Sequence, residues 1–298
     1  MAIELKQESG TDFSHLLRSH PCLSAEAHVK FGRMHLPVSY ACNIQCDFCI
    51  RKLKTEETRP GVAYKVMTPD ESIDTVKKAL ELCPEIQVIG IAGPGDTLAS
   101  PHAIETFTRI HAEFPDKILC LSTNGLMLPK NVDRLWDAGV RTISVTVNAV
   151  DPEILRQIVS KVVWEGEVLR GLPAAERLIH SQLTGIRAAA RKGFLVKSNA
   201  VLIPGVNDTH IAAIAETLAE AGASMFNIIP LIPQGKFKDI ATPSCAALGS
   251  ARKEAEAYLP VFRHCKQCRA DACGIPGKHV ELSALLYGYA TENTFSHG

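Results

Sequence analysis

Residues 34–49 read MHLPVSYACNIQCDFC. An apolar, strand-like segment, Met34–Ala41, runs directly into a polar loop holding Cys42, Cys46 and Cys49. Such a loop can wrap one face of an iron–sulfur cubane, giving one thiolate to each of three irons and none to the fourth. A structural zinc site wants four ligands, so zinc fits this motif poorly. The bland alternative is three unligated thiols in a buried loop. Buried free cysteines occur as single fillers, and three in one polar loop is an unusual way to fill space.

Outward from this motif, strand-like runs alternate with amphipathic helical stretches. Thr68-Pro69-Asp70-Glu71 opens a helix to about Leu82, with Thr68 as cap and acids in the first turn. Ile86–Ala92 reads as a strand, and Ser100-Pro101 starts a helix ending near Phe114. Lys117–Leu121 is strand, 129–138 helix closed by Gly139, and Arg141–Val147 strand. A helical region to about 159 and a Gly-broken stretch follow. Pro173–Lys192 is a long helix stopped by Gly193, and Phe194–Leu202 is strand. Asn207–Ala221 is helix, Ser224–Ile229 strand, and 246–258 helix. Six βα pairs with apolar strands predict an α/β fold with a parallel sheet covered by helices. Pattern alone leaves open whether the sheet closes as a barrel. Either way the site belongs at the C-terminal ends of the strands.

Composition narrows the function class. The 298 residues carry 32 Lys+Arg and 32 Asp+Glu, so the chain lacks the basic field of a nucleic-acid binder. Hydrophobic content of 46% excludes a disordered class. No apolar run is long enough for a membrane helix and no secretory signal opens the chain, so the expected address is the cytoplasm. Ten cysteines are then better read as metal ligands or redox groups than as disulfides.

The CxxxCxxC motif after a first strand resembles the radical S-adenosylmethionine (SAM) superfamily, and Phe48 before the last cysteine fits that pattern. The resemblance implies a 4Fe–4S cluster on Cys42, Cys46 and Cys49, with SAM on the open iron. Gly93-Pro94-Gly95-Asp96 follows the second strand and resembles the superfamily's glycine-rich SAM-binding motif. There the glycines permit close backbone approach, and Asp96 can accept from an ammonium. Ser122 and Asn124 after the third strand, and Asn148 after the fourth, place polar groups where a ribose or carboxylate could bind. Each alone is as readily a turn.

Further blocks resemble one family within that superfamily, the NifB family of nitrogenase cofactor biosynthesis: HPCLS (20–24), GRMH (32–35), ETRPGV (57–62), AGPGDTLASP (92–101), LCLSTNGL (119–126), VLIPGVND (201–208) and HCKQCRADA (264–272). The resemblance implies a radical SAM (βα) barrel. Its form is a six-unit partial TIM barrel or a more closed version, with Cys-bearing extensions at 1–34 and 261–298 around a barrel at 35–260. It implies two further 4Fe–4S clusters as substrates, fused around a SAM-methyl-derived carbon with an added sulfur into an 8Fe–9S–C product. Implied partners are cofactor scaffold and carrier proteins, a cluster donor and a reductant, with no nucleic acid and no membrane. Candidate ligands of the substrate clusters are Cys22, His35, Cys120, Cys265, Cys268 and Cys273. Three ligands per cubane leave open irons, which suits clusters that must rearrange and leave. Glu57 and Arg59, on the loop after the first motif, are candidates for handling protons or orienting a cluster.

Two departures from the family stand out. Many members carry a further cysteine before the RPG block, where this chain has Lys54 or Thr55. The tail reads RADACG rather than RADAVG, so Cys273 is expected to replace the missing ligand. Cys83 and Cys245 match no family ligand and read as structural. The resemblance is to the shorter form without a C-terminal carrier domain. Alternatives are a radical SAM enzyme acting on a peptide or small molecule, an iron–sulfur carrier, or zinc on the tail thiols with His264 or His279.

Overall fold

The computed structural model describes residues 13–278 and 280–288. Six parallel strands, β1 (Gly32–His35), β2 (Ile86–Ile91), β3 (Ile118–Thr123), β4 (Val140–Thr146), β5 (Leu195–Leu202) and β6 (Met225–Pro230), lie side by side in chain order. A two-residue strand, β7 (Cys273–Gly274), adds antiparallel to β1. The sheet curls and stays open between β6 and β7, which makes it a partial barrel.

The expected helices form on its convex side. They are α3 (Pro69–Leu82), α4 (His102–Glu113), α5 (Val132–Asp137), α6 (Gly171–Lys192), α7 (Ile211–Glu220) and α8 (Cys245–Ala255). Thr68 and Glu71 make a reciprocal capping box that starts α3. Gly193 ends α6 at φ 103°, a conformation glycine adopts at little cost.

Toward their C-terminal ends the strands alternate. Ile89, Ile91, Leu119, Leu121, Ile143, Val145, Val196, Phe226 and Ile228 face the helices in one buried core. The alternate residues face the concave side, and many are polar: Arg33, His35, Cys120, Ser122, Ser144, Thr146, Lys197, Asn199 and Asn227. A small barrel usually fills this side with branched aliphatics. Here it surrounds a cavity.

One end of the cavity is plugged from the N-terminus. Phe13, Leu16 and Leu23, around α1 (Ser14–Ser19), pack on Leu195, Met225 and Phe262. The turn after α1 carries His20-Pro21-Cys22, and α2 (Ala25–Lys30) leads into β1.

Three local expectations need correction. The first strand is Gly32–His35 rather than Met34–Ala41, because Pro37 has no N–H to give the ladder. The helical region after Asp151 is one turn, Pro152–Leu155. The Gly-broken stretch is a hairpin, Val159–Trp164 with Glu167–Leu169, turned at Glu165 (φ 51°) and Gly166 (φ 88°). It pairs with Ile44–Cys46 in the first cysteine loop, so a distant segment braces that loop.

Candidate active site

The concave face lines a cavity of about 350 Å3. Cys42, Cys46 and Cys49 line it from the loop after β1, together with Phe48. Several bonds fix this loop. Gly95 N donates to Ser39 O at 2.8 Å, and Asp96 N to Ala41 O at 2.8 Å. Asp47 N donates to Ile158 O at 2.8 Å, and Gln45 Nε2 to the carbonyls of Cys46 and Cys49. Gly95 is required here: a Cβ would stand 2.1 Å from Ala41 O and 2.4 Å from Tyr40 O.

Burial raises all three thiols, Cys42 to about 11, Cys46 well above the ordinary range and Cys49 more modestly. Three such groups become thiolates together only against a compensating positive charge. Beside them the buried Asn43 Nδ2 has no partner, while Asn43 Oδ1 accepts from Asn124 Nδ2 at 2.7 Å. Three cysteines on one loop lining one cavity are a donor set that fits an iron–sulfur cluster held by three thiolates.

The glycine-rich segment and the next two strand ends face the same space: Pro94, Gly95, Asp96, Ser122, Asn124 and Asn148 line the cavity. Gly93 adopts φ 122° just before them. Asp96 proves to be a hub. Its carboxylate accepts from Leu98 N at 3.0 Å, Thr123 Oγ1 at 2.9 Å and Asn124 N at 2.6 Å. The carboxylate thereby ties the β2 and β3 loops together, and burial raises its pKa. Asn148 Oδ1 likewise accepts from Val201 N at 2.9 Å.

The rest of the cavity gathers side chains from distant parts of the chain: Cys22 after α1, His35 on β1, Cys120 on β3, and Cys265 and Cys268 from the tail. His35 and Cys120 flank Gly90 in register on adjoining strands, and the missing side chain at Gly90 leaves room between them. Arg33 donates to Cys268 Sγ at 3.0 Å. Lys197 Nζ donates to the Cys22 carbonyl at 3.2 Å. Burial pushes the Cys22 thiol up to about 12 against the pull of Lys197, with Cys268 and Cys120 adding to the rise. Burial, aided by Arg33, drops His35 to about 3, so its imidazole is neutral.

Cys273 is not brought to the cavity. It is fully buried in the apolar core on β7, paired with Met34, and its backbone N–H donates to Glu281 and Ser283. The expectation that it replaces a missing ligand fails because strand pairing draws it into the core. The zinc alternative loses the same thiol, and His279 lies outside the described residues. Among the described residues, no three His, Cys, Asp or Glu side chains converge on a single-ion site.

Glu57 and Arg59 sit in the cavity's outer wall without lining it. Arg59 donates to Glu57 Oε2 at 2.7 Å and to Ile50 O at 2.7 Å, and Lys52 pairs with Glu57 from the other side. Arg269 of the tail donates to the carbonyls of Thr55 and Glu57 at 2.8 Å each. Asp271 pairs with Arg269 and accepts from Tyr64 N at 2.6 Å. The RADA residues are therefore a clamp between tail and loop. Cys83 is buried at the end of α3 and Cys245 is exposed at the start of α8, both away from the cavity.

Sequence reasoning missed Arg33, Lys197, His20 and His28 as cavity residues. The signal for Arg33 and Lys197 was present as a polar residue at every second position in strands covered by helices on one side.

Comparisons with known proteins agree with this picture. The radical SAM superfamily matches residues 36–218. The FeMo cofactor biosynthesis protein NifB of Methanocaldococcus infernus is 47% identical over 270 residues, covering 90% of this chain and 89% of that protein. NifB of Klebsiella pneumoniae is 43% identical over 268 residues, which cover 87% of this chain and 57% of that protein. Among solved structures, Streptococcus suis SuiB superposes with a TM-score of 0.59 at 13% identity, covering 81% of this chain and 52% of that one. Methylornithine synthase (PylB) gives 0.52 at 15% identity, covering 86% and 72%. Both solved structures bear on the fold alone. With a three-cysteine loop at the mouth of a six-stranded partial barrel, and relatives matching along most of its length, the chain belongs to the radical SAM superfamily and, within it, to the NifB family.

Proposed function

We propose that the chain is a carbide-forming cluster synthase. It takes two 4Fe–4S clusters as substrates and joins them through a SAM-methyl-derived carbon with one added sulfur, giving the 8Fe–9S–C precursor of nitrogenase cofactor. One observation carries the reading: a single cavity joins the three-thiol loop to five further soft ligands that arrive from the N-terminus, two strands and the tail.

Cys42, Cys46 and Cys49 would hold the resident cluster, and the Gly93–Asp96, Ser122, Asn124 and Asn148 edge would cradle SAM. When bound, this pair supplies reductive cleavage of SAM and hydrogen-atom abstraction. The remaining steps fall to the chain's own residues. Cys22, His35 and Cys120 grip one substrate cluster in the gap left by Gly90, and Cys265 and Cys268 grip the other. Arg33 and Lys197 offset the negative charge of sulfur-rich substrates in a buried site. His35 donates Nδ1–H to Arg269 O at 3.2 Å, leaving Nε2 as the neutral ligand atom. A neutral imidazole releases iron more readily than a thiolate, which suits a product that must leave. Scaffold and carrier proteins, a cluster donor and a reductant are the partners this reaction requires. No helix among the described residues is long and apolar enough to cross a membrane.

The test separates the two halves of the cavity. In Cys42→Ala, SAM cleavage should disappear while the substrate clusters still load. In Cys120→Ala, SAM cleavage to 5′-deoxyadenosine should persist without the 8Fe product. Full product from Cys120→Ala would refute the assignment.

A further inference from the structure

The tail brings two thiols to the cavity, and the third expected there, Cys273, is in the core. Three buried or half-buried imidazoles line the same cavity, and their hydrogen bonds sort them by tautomer. His20 Nδ1 accepts from Cys22 N–H at 3.1 Å, so its proton sits on Nε2. That ring can donate but cannot ligate through Nε2. His28 is the opposite case. Its Nδ1 lies 2.8 Å from the Pro21 carbonyl oxygen, which only accepts, so Nδ1 carries the proton and Nε2 the lone pair. His28 is 6% exposed, and its Nε2 is buried without a hydrogen-bond partner. An unsatisfied buried acceptor carries a cost unless something fills it. An imidazole with one N–H on a backbone carbonyl and the other nitrogen bare is the arrangement of a metal-ligating histidine. His35 shares it.

Position supports the same conclusion. The His28 ring stands 5.7 Å, centroid to centroid, from His264, the residue before Cys265. The tail packs directly on α2, so that a Cβ at Gly277 would meet His28 O at 2.6 Å. Arg33, which donates to Cys268, lines the same wall.

We propose that His28 Nε2 is the third protein ligand, with Cys265 and Cys268, of the second substrate cluster. The bond forms by donation of the Nε2 lone pair to iron. No proton is released, because Nε2 is already bare. The inference rests on the proposed reading of two substrate clusters in this cavity.

The experiment uses the full chain, reconstituted anaerobically with iron and sulfide and labelled with 15N-histidine. The background is His35→Ala with Cys42, Cys46 and Cys49 changed to Ala, which leaves the second substrate cluster to be read. Pulsed EPR of the reduced protein should show a histidine nitrogen coupling that is lost on adding His28→Ala, with a drop of about four irons per chain. His28→Cys should restore the iron without the nitrogen coupling, which separates lost ligation from lost folding. A coupling that persists in His28→Ala, or that vanishes instead in His264→Ala, overturns the proposal. If the native chain loads no iron beyond its first cluster, the two-cluster reading falls and the proposal with it. If iron loads normally but His28→Ala changes nothing, the proposal alone falls.

Discussion

Arg33 on β1 donates to Cys268 Sγ at 3.0 Å, across 235 residues of sequence. Arg33 is 3% exposed, and its NH1 also donates to Gly274 O at 3.3 Å. A buried arginine aimed at a thiol sulfur will stabilise negative charge on whatever that sulfur binds. Arg33→Gln should therefore shift the potential of the cluster at Cys268 downward, on the order of 50 mV for a loss of about 1.4 kcal/mol. Redox titration followed by EPR measures it. An unchanged potential would mean that the guanidinium does not act on the cluster.

Asp271 and Arg269 form a buried pair at 2.7 Å, and Asp271 also accepts from Tyr64 N. Breaking one side of such a pair leaves a buried charge uncompensated, at roughly 3–5 kcal/mol. Asp271→Asn should lower stability by about that amount and expose the loop at 52–61 to protease. Chemical denaturation and limited proteolysis are the checks. Wild-type values would show that the clamp is not needed.

At Gly95 a Cβ has no space, since two carbonyl oxygens of the first cysteine loop lie within 2.4 Å of it. Gly95→Ala should push Tyr40 and Ala41 away and displace Cys42. The expected result is loss of iron from the first cluster and loss of SAM cleavage, while the fold, followed by circular dichroism, survives. Normal iron content would contradict the close packing.

Cys273→Ala should leave iron content unchanged and cost about 1 kcal/mol of stability, as removal of a small buried group does. Iron analysis and thermal melting separate this from the ligand role that the sequence suggested. Loss of iron without loss of stability would restore that role.

Local chemistry made much of this molecule legible in advance. The Thr68–Glu71 cap, the Gly193 stop and the five strands after the first depend on near neighbours, and they lie within a few residues of where the pattern put them. The three-thiol loop was legible for the same reason. What escaped depends on long-range partners. The Val159–Leu169 hairpin was hidden because it pairs with Ile44–Cys46, more than a hundred residues earlier. Cys273 looked like a ligand because it departs from the family's tail in a chain that lacks another cysteine, yet pairing with β1 turned it into the core. Asp96 was legible as a cavity residue, but its role in tying two strand ends together depends on Thr123 and Asn124 from the next loop. His28 stood outside every motif, and its tautomer is set by Pro21 through a turn.

The central claim is that this cavity builds a carbon-centred cluster from SAM. The most direct measurement supplies the anaerobically reconstituted chain with dithionite and SAM carrying a 13C-labelled methyl group, then follows the carbon. The account predicts S-adenosylhomocysteine and 5′-deoxyadenosine together, with the label retained in an iron–sulfur product that can be transferred to a carrier protein. Formation of 5′-deoxyadenosine alone, with no label in any cluster, would contradict it and leave a radical SAM enzyme with a different substrate.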